Sequence, residues 1–345
     1  MVVYEEFGGN TWGVSPALSY LVIIYPWGKG AEVMSMNNLL SDIGLHYKRG
    51  AASLRGQGKL FNRKAYENMV EKVLFLCGAF SILAVFIITF FVFYSGLPLI
   101  FRTGIGNFIF NSQWAPLQGV FGILPMIMGS IMVTLGALVI AVPLGLGGAI
   151  FLAEFAPRFV TRIFRPAIQL LAGIPSVVYG FWGLIILVPL LRGYFGGSGF
   201  SALAGSIILA IMILPTIINI SEDSIISIPR EYKEGSLALG ATRWQTVKHV
   251  LLPCARPGVI TGIVLGMGRA IGETMAIIMV TGNVASLPGS ILDPVRTLTG
   301  NIVIEIGYAH GDHQEALFAT GAVLFIFIMV LNLLVNFRLK KEGDA

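Results

Sequence analysis

Arg269 and Glu273 stand four residues apart in a stretch, 257–292, that is otherwise free of charge. Ionisable side chains in an apolar segment are costly in lipid, and they face a cavity, the interior of a helix bundle or one another. On one continuous helix, residues i and i+4 share a face, so the spacing predicts that these two can pair. A guanidinium stays charged at any physiological pH and can hold an oxyanion through two parallel hydrogen bonds. The expectation is an anion site in which Glu273 holds Arg269 when the site is empty and releases it when the anion arrives. The competing expectation is a self-neutralised pair between helices. Thr274 adjoins the pair. Ser176 follows Pro175 in another apolar segment, where a broken turn could aim amides or a hydroxyl at an anion, or simply kink a helix. Gly262, Gly266, Gly268 and Gly272 make two small-xxx-small spacings, whose expected role is close helix packing rather than a backbone cradle.

The segment Glu222 to Pro253 carries a second pattern. Pro229 suits the first turn of a helix, and Gly240 supplies the left-handed residue that stops it. Thr242 and Gln245 are spaced as a capping box, opening a second helix that is expected to end before Pro253. Two short helices joined by a sharp glycine turn make a compact knob. Its apolar residues, Leu237, Leu239, Trp244, Val247 and Val250, exceed what a membrane surface alone requires.

Other signals point nowhere. His310-Gly-Asp312-His313 has metal-like letters without the fourth ligand or the spacing of a known site, so no metal is expected. Gly145-Leu-Gly147-Gly148 lies inside an apolar run, away from the strand and helix that a dinucleotide fingerprint needs. Cys77 and Cys254 are too few for a disulfide framework or a zinc cluster. Gly-x4-Gly-Lys-Ser/Thr occurs nowhere, so any ATP and its Mg must be bound by another chain; no cofactor and no covalent catalysis are expected of this one.

The elements that must carry these residues follow from composition. The 345 residues are 55% hydrophobic and 12% charged, against about 25% charged in an ordinary soluble domain. Charge-free runs long enough to cross about 30 Å of hydrocarbon occur at 73–101, 166–191, 193–221 and 316–337. Two more fall at about 123–151 and within 257–292, giving six spans of an all-α integral membrane protein. Of the 23 Lys and Arg residues, an orientation with both termini in the cytoplasm leaves 19 inside and three outside (Arg102, Arg192 and Arg296). That bias sets the topology and puts residues 222–253 in the cytoplasm. It also accounts for the net charge of +5 without nucleic acid, which would need a basic face on a soluble module. The expected organisation is a poorly ordered N-terminal extension, 1–66; a first span with an external segment, 67–122; a core of five spans, 123–337; and a cytoplasmic tail, 338–345.

Residues 222–253 also resemble, position by position, the signature of ABC importer membrane subunits, Glu-Ala-Ala-x3-Gly-x9-Ile-x-Leu-Pro. Glu234-Gly235-Ser236, Gly240, Val250, Leu252 and Pro253 fill its places. The resemblance extends to Gly173-Ile-Pro-Ser-Val-Val-Tyr-Gly180 and to Gly268-Arg-Ala-Ile-Gly-Glu-Thr-Met-Ala276, which look like the phosphate-specific branch. Trp114-Ala-Pro, Phe121-Gly-Ile-Leu-Pro125 and Ala316-Leu-Phe point to its PstC type, over about residues 67–337. The sequence departs at Gln169, where a Glu is expected, and at Ser130, where a Thr is expected.

The resemblance implies an ABC permease fold for a multi-pass plasma-membrane subunit that forms half of a phosphate pathway. Sulfate, molybdate or tungstate is the alternative cargo, and an ion-coupled secondary transporter the more distant alternative. Arg269, Glu273, Ser176 and Thr274 would line the path. Glu234, Gly240, Ala241, Thr242, Leu252 and Pro253 would form the coupling helix. The implied partners are a homologous PstA-type permease, a dimeric PstB-type P-loop ATPase, a PstS-type extracytoplasmic phosphate-binding protein and membrane lipid.

Overall fold

The structure, a computed structural model, describes residues 63–343, with side chains over 68–333. The expectation for the N-terminal extension falls on residues that, but for the last few, lie outside this range. Two compact units divide between Leu83 and Ala84. The described part of the first is the helical stretch 63–83, whose Leu74, Phe75, Phe80 and Ile82 are exposed.

Helices dominate because the long apolar runs can satisfy their backbone in lipid only by hydrogen bonding within themselves. The order is α1 (Arg63–Thr103), α2 (Ile105–Phe110), the hairpin β1 (Trp114–Ala115) and β2 (Val120–Phe121), then α3 (Leu124–Ile150), α4 (Arg158–Gly173), α5 (Ser176–Trp182) and α6 (Val188–Phe195). There follow α7 (Ala202–Ile226), α8 (Arg230–Ala238), α9 (Arg243–Thr246), α10 (Leu252–Gly272), α11 (Met275–Val280), α12 (Leu298–Glu305) and α13 (Asp312–Gly343). The hairpin is antiparallel, with Trp114 opposite Phe121 and Ala115 opposite Val120.

Six helical rods among the described residues are long and apolar enough to cross a membrane: Asn68–Thr103, Leu124–Phe155, Ser176–Phe195, Ala202–Ile226, Arg243–Gly272 and Asp312–Leu333. The number matches the sequence reading, while three boundaries do not. The span expected at 166–191 is two elements, since the chain is extended at Ile174 and Pro175 and of the two only Ser176–Phe195 is long and apolar enough to cross. Proline lacks an N–H and disfavours a helical residue before it, which separates α4 from α5. The span expected at 193–221 starts at Ala202, because Gly196, Gly197 and Gly199 all take positive φ. The span expected within 257–292 runs from Arg243 to Gly272, and its continuation is the separate α11.

The expected helix stop before Pro253 is also absent: α9 passes into α10 through a π-helical turn, Val247–Leu251. There the Leu252 N–H reaches the Val247 carbonyl, and the wider ring makes room for Pro253. Phe151–Phe155 and Gly183–Leu187 are π turns as well, each two residues before a proline, Pro157 and Pro189.

The core of the second unit is α7, where Ile208, Leu209, Met212, Ile213 and Ile217 are essentially inaccessible. Helices α3 and α10 lie against it. A Cβ added at Gly262 or Gly266 would come within 3.2 Å of Ile220 or Ile217, so these glycines let α10 approach α7 closely. Gly268 and Gly272 have nothing within 4 Å; the packing expected of all four glycines holds for one pair. A second cluster joins Leu99, Phe108, Phe121, Met126, Leu298 and Ala316, and a third joins Ile150, Ile225, Val247, Leu251 and Ala255. The third sits where the knob meets the spans.

Candidate functional site

Arg269 lies in the last turn of α10, half-buried. That helix ends at Gly272, and Glu273 is already extended (φ −70°, ψ 136°). The shared helical face predicted for the two charges therefore does not exist, and they form no ion pair. Glu273 instead turns forward, its Oε1 accepting from the Ala276 N–H at 3.3 Å and so capping α11. Thr274 stands in the break, its hydroxyl donating to the Gly272 carbonyl at 3.3 Å.

The neighbouring helix is broken too. Ser176 opens α5 directly after the extended Ile174-Pro175, half-buried and without a hydrogen bond. Gly180 of α5 meets α11 at Ala276, where an added Cβ would stand 2.8 Å from the Ala276 Cα. Tyr179, from the same turn, donates its hydroxyl to the Leu171 carbonyl of α4 at 2.6 Å and lies within electrostatic reach of Arg269. Two discontinuous helices thus lie side by side, and a guanidinium with no carboxylate partner among the described residues sits beside their breaks. Broken helices gather at transport sites because they free backbone groups for a substrate. Tyr179 is a site member that sequence reading passed over. Gln169 is exposed on α4, a helix with no buried residue.

On the side to which the charge bias assigns the cytoplasm, the knob is present. Helix α8 ends in a Schellman turn, with Ala241 N–H to Ser236 O at 3.2 Å, Gly240 N–H to Leu237 O at 3.0 Å, and Gly240 at φ +86°. The Thr242–Gln245 box is closed from both sides, at 2.8 and 3.3 Å. The Ser236 and Thr246 hydroxyls, 3.0 Å apart, tie α8 to α9. Leu239 is 91% and Trp244 56% exposed, so the knob offers apolar side chains to something outside this chain. Lys233 pairs with Glu154 at 2.5 Å, and Arg165 of α4 holds the buried Glu222 of α7 through Nε (2.8 Å) and Nη2 (2.6 Å).

On the opposite side, Glu305 is buried and fully engaged, a cluster that sequence reading missed. Its Oε1 accepts from Arg296 at 2.6 Å, and its Oε2 from Trp114 Nε1 and from His313 Nε2, both at 2.8 Å. Arg296 also donates to Asn301 Oδ1 and to the Asn283 carbonyl. The metal-like His313 thus belongs to a carboxylate clasp that anchors the hairpin. Tyr308 stacks edge-on against His313, its phenol held above the usual value by desolvation and then by the charge of Glu305, with Arg296 opposing.

The chain is similar to known proteins in sequence and in fold. The chain is 42% identical over 283 residues to the "Probable ABC transporter permease protein YqgH" of Bacillus subtilis, covering 80% of this chain and 92% of that one. It is 37% identical over 262 residues to the "Phosphate transport system permease protein PstC" of Xylella fastidiosa, covering 69% and 81%. Among solved structures, a bacterial ABC transporter involved in the import of the polysaccharide alginate superposes with a TM-score of 0.57 at 16% identity, over 81% of this chain and 99% of that one, a similarity of fold. Residues 141–340, the stretch holding both broken helices and the knob, match the family described as "Binding-protein-dependent transport system inner membrane component". With more than half its length matched and the knob in place, the chain belongs to the family of inner membrane components of binding-protein-dependent transport systems.

Proposed function

We propose that this chain is the PstC-type permease of an ATP-driven phosphate importer, a multi-pass plasma-membrane subunit forming half of the pathway. The observation that carries this reading is the Arg269 guanidinium, set beside two helix breaks with its charge unpaired and its planar fork available to a tetrahedral oxyanion. The PstC relatives at 34–37% identity, from several bacteria and an archaeon, support phosphate as the cargo. Ser176 and Thr274 flank the path, and Glu273 fixes the break that presents Arg269.

The partners we assign are a homologous PstA-type permease completing the path, a PstS-type binding protein delivering phosphate, and a PstB-type ATPase dimer. The ATPase, which would bind the ATP and Mg, takes the knob formed by Glu234, Gly240, Ala241, Thr242, Leu252 and Pro253. The chain moves its substrate without making or breaking a covalent bond. The test is uptake of radiolabelled phosphate by vesicles holding all four components. ATP-dependent uptake that excess sulfate or molybdate fails to compete supports the reading. Uptake without ATP, or competition by another oxyanion at equal concentration, overturns it.

A further inference from the structure

Between α3, α7, the end of α10, α11 and the start of α12 lies a cavity of about 10 Å³, the space of roughly one water molecule. Five polar residues line it: Ser130, Thr134, Glu273, Thr297 and Thr299. Three of these side chains already make a hydrogen bond. Ser130 Oγ accepts from the Leu298 N–H at 2.9 Å, Thr297 Oγ1 from the Gly300 N–H at 3.1 Å, and Thr299 Oγ1 donates to the Glu273 carbonyl at 2.9 Å.

Two groups remain. Thr134, 6% exposed, makes no hydrogen bond through its hydroxyl. Helical threonines elsewhere in the chain, Thr103, Thr261 and Thr320, donate to the carbonyl four residues back. Glu273 spends Oε1 on the Ala276 N–H and leaves Oε2 unbonded. A buried water needs two to four polar partners, and these two supply a donor and an acceptor in the lining of the same cavity.

We propose that this cavity is a single-water site bridging Thr134 to Glu273, and that Thr134 is therefore a positioning residue for Arg269. This rests on the reading of Arg269 as the anion-binding group. The water accepts from the Thr134 hydroxyl and donates to the carboxylate, giving Glu273 a neutral partner other than Arg269. Without the hydroxyl the water loses its anchor. The carboxylate's nearest compensation is then the guanidinium four residues back, where it competes with the incoming oxyanion.

The test measures phosphate uptake by the full four-component complex carrying Thr134→Val, Thr134→Ser or Arg269→Gln. Valine keeps the volume and removes the hydroxyl, so KM should rise about two- to tenfold, the equivalent of one hydrogen bond, at unchanged maximal rate and complex yield. Serine should keep the wild-type KM. With Arg269→Gln inactive, a Thr134→Val variant of normal KM overturns the water bridge alone, as does a loss confined to maximal rate or yield. An Arg269→Gln complex that transports normally overturns the anion site and the bridge together. Independently of transport, a density map that resolves other buried waters should hold one here, and a dry cavity overturns the proposal.

Discussion

At the scale of single residues, the decisive feature is Arg269, a charge without an ion pair among the described residues. Because Arg269 has no ion pair to lose, Arg269→Gln should leave the complex assembled. Uptake should fall about ten- to a hundredfold, the worth of charge-assisted hydrogen bonds to the anion. Arg269→Lys keeps the charge without the planar fork and should recover little of that loss. Uptake set beside co-purification of the partners checks both. Arg165 is the contrasting case, since its partner Glu222 is buried, with a side chain 5% exposed. Arg165→Met should cost about 1–3 kcal/mol by leaving a buried carboxylate unmatched, and adding Glu222→Gln should return most of it. Thermal unfolding of the purified permease pair reads this out.

At the scale of elements, the knob shows what sequence can and cannot announce. Gly240 and the Thr242–Gln245 box are local devices whose partners lie within a turn of the chain, and both stand where their spacing put them, while Pro229 sits one residue ahead of the first turn expected for it, as the N-cap of α8. Pro253 misled for a related reason: its missing N–H is a local fact, but the π turn that absorbs it depends on how Val247 and Leu251 pack against Ile150 and Ile225. Likewise Glu273 reads as a partner for Arg269 only while the helix is assumed to continue, and Glu305 finds Trp114 across 191 residues, beyond any spacing rule. The knob also makes a clean test. An added Cβ at Gly240 would meet nothing within 4 Å, so the cost of Gly240→Val is backbone strain alone, about 1–2 kcal/mol at positive φ. The variant should insert normally yet retain less ATPase on co-purification, whereas Gly240→Asn, which tolerates that conformation, should retain more.

At the scale of the whole molecule, the count of six spans was legible because it rests on composition, while their ends depended on prolines and glycines whose effect is tertiary. The charge bias predicts that the hairpin faces outward and the knob inward. Leu117 at the hairpin tip is fully exposed, and Ser227 is exposed beside the knob. With the exposed Cys77 and Cys254 replaced by serine, Leu117→Cys should react with an impermeant thiol reagent on intact cells, and Ser227→Cys only after permeabilisation. The reverse pattern would invert the topology.

The helix that failed to stop before Pro253 has a mechanical meaning. From Arg243 to Gly272 it is one rod of 30 residues, about 45 Å long, with the capped turn of the knob at one end and the guanidinium in the final turn at the other. A helix end at Pro253 would have separated the knob from the span that carries Arg269. On the reading proposed above, a push at the knob would reach Arg269 along this one helix, which Gly262 and Gly266 seat against α7, and any bending would fall at the π turn or at Pro257.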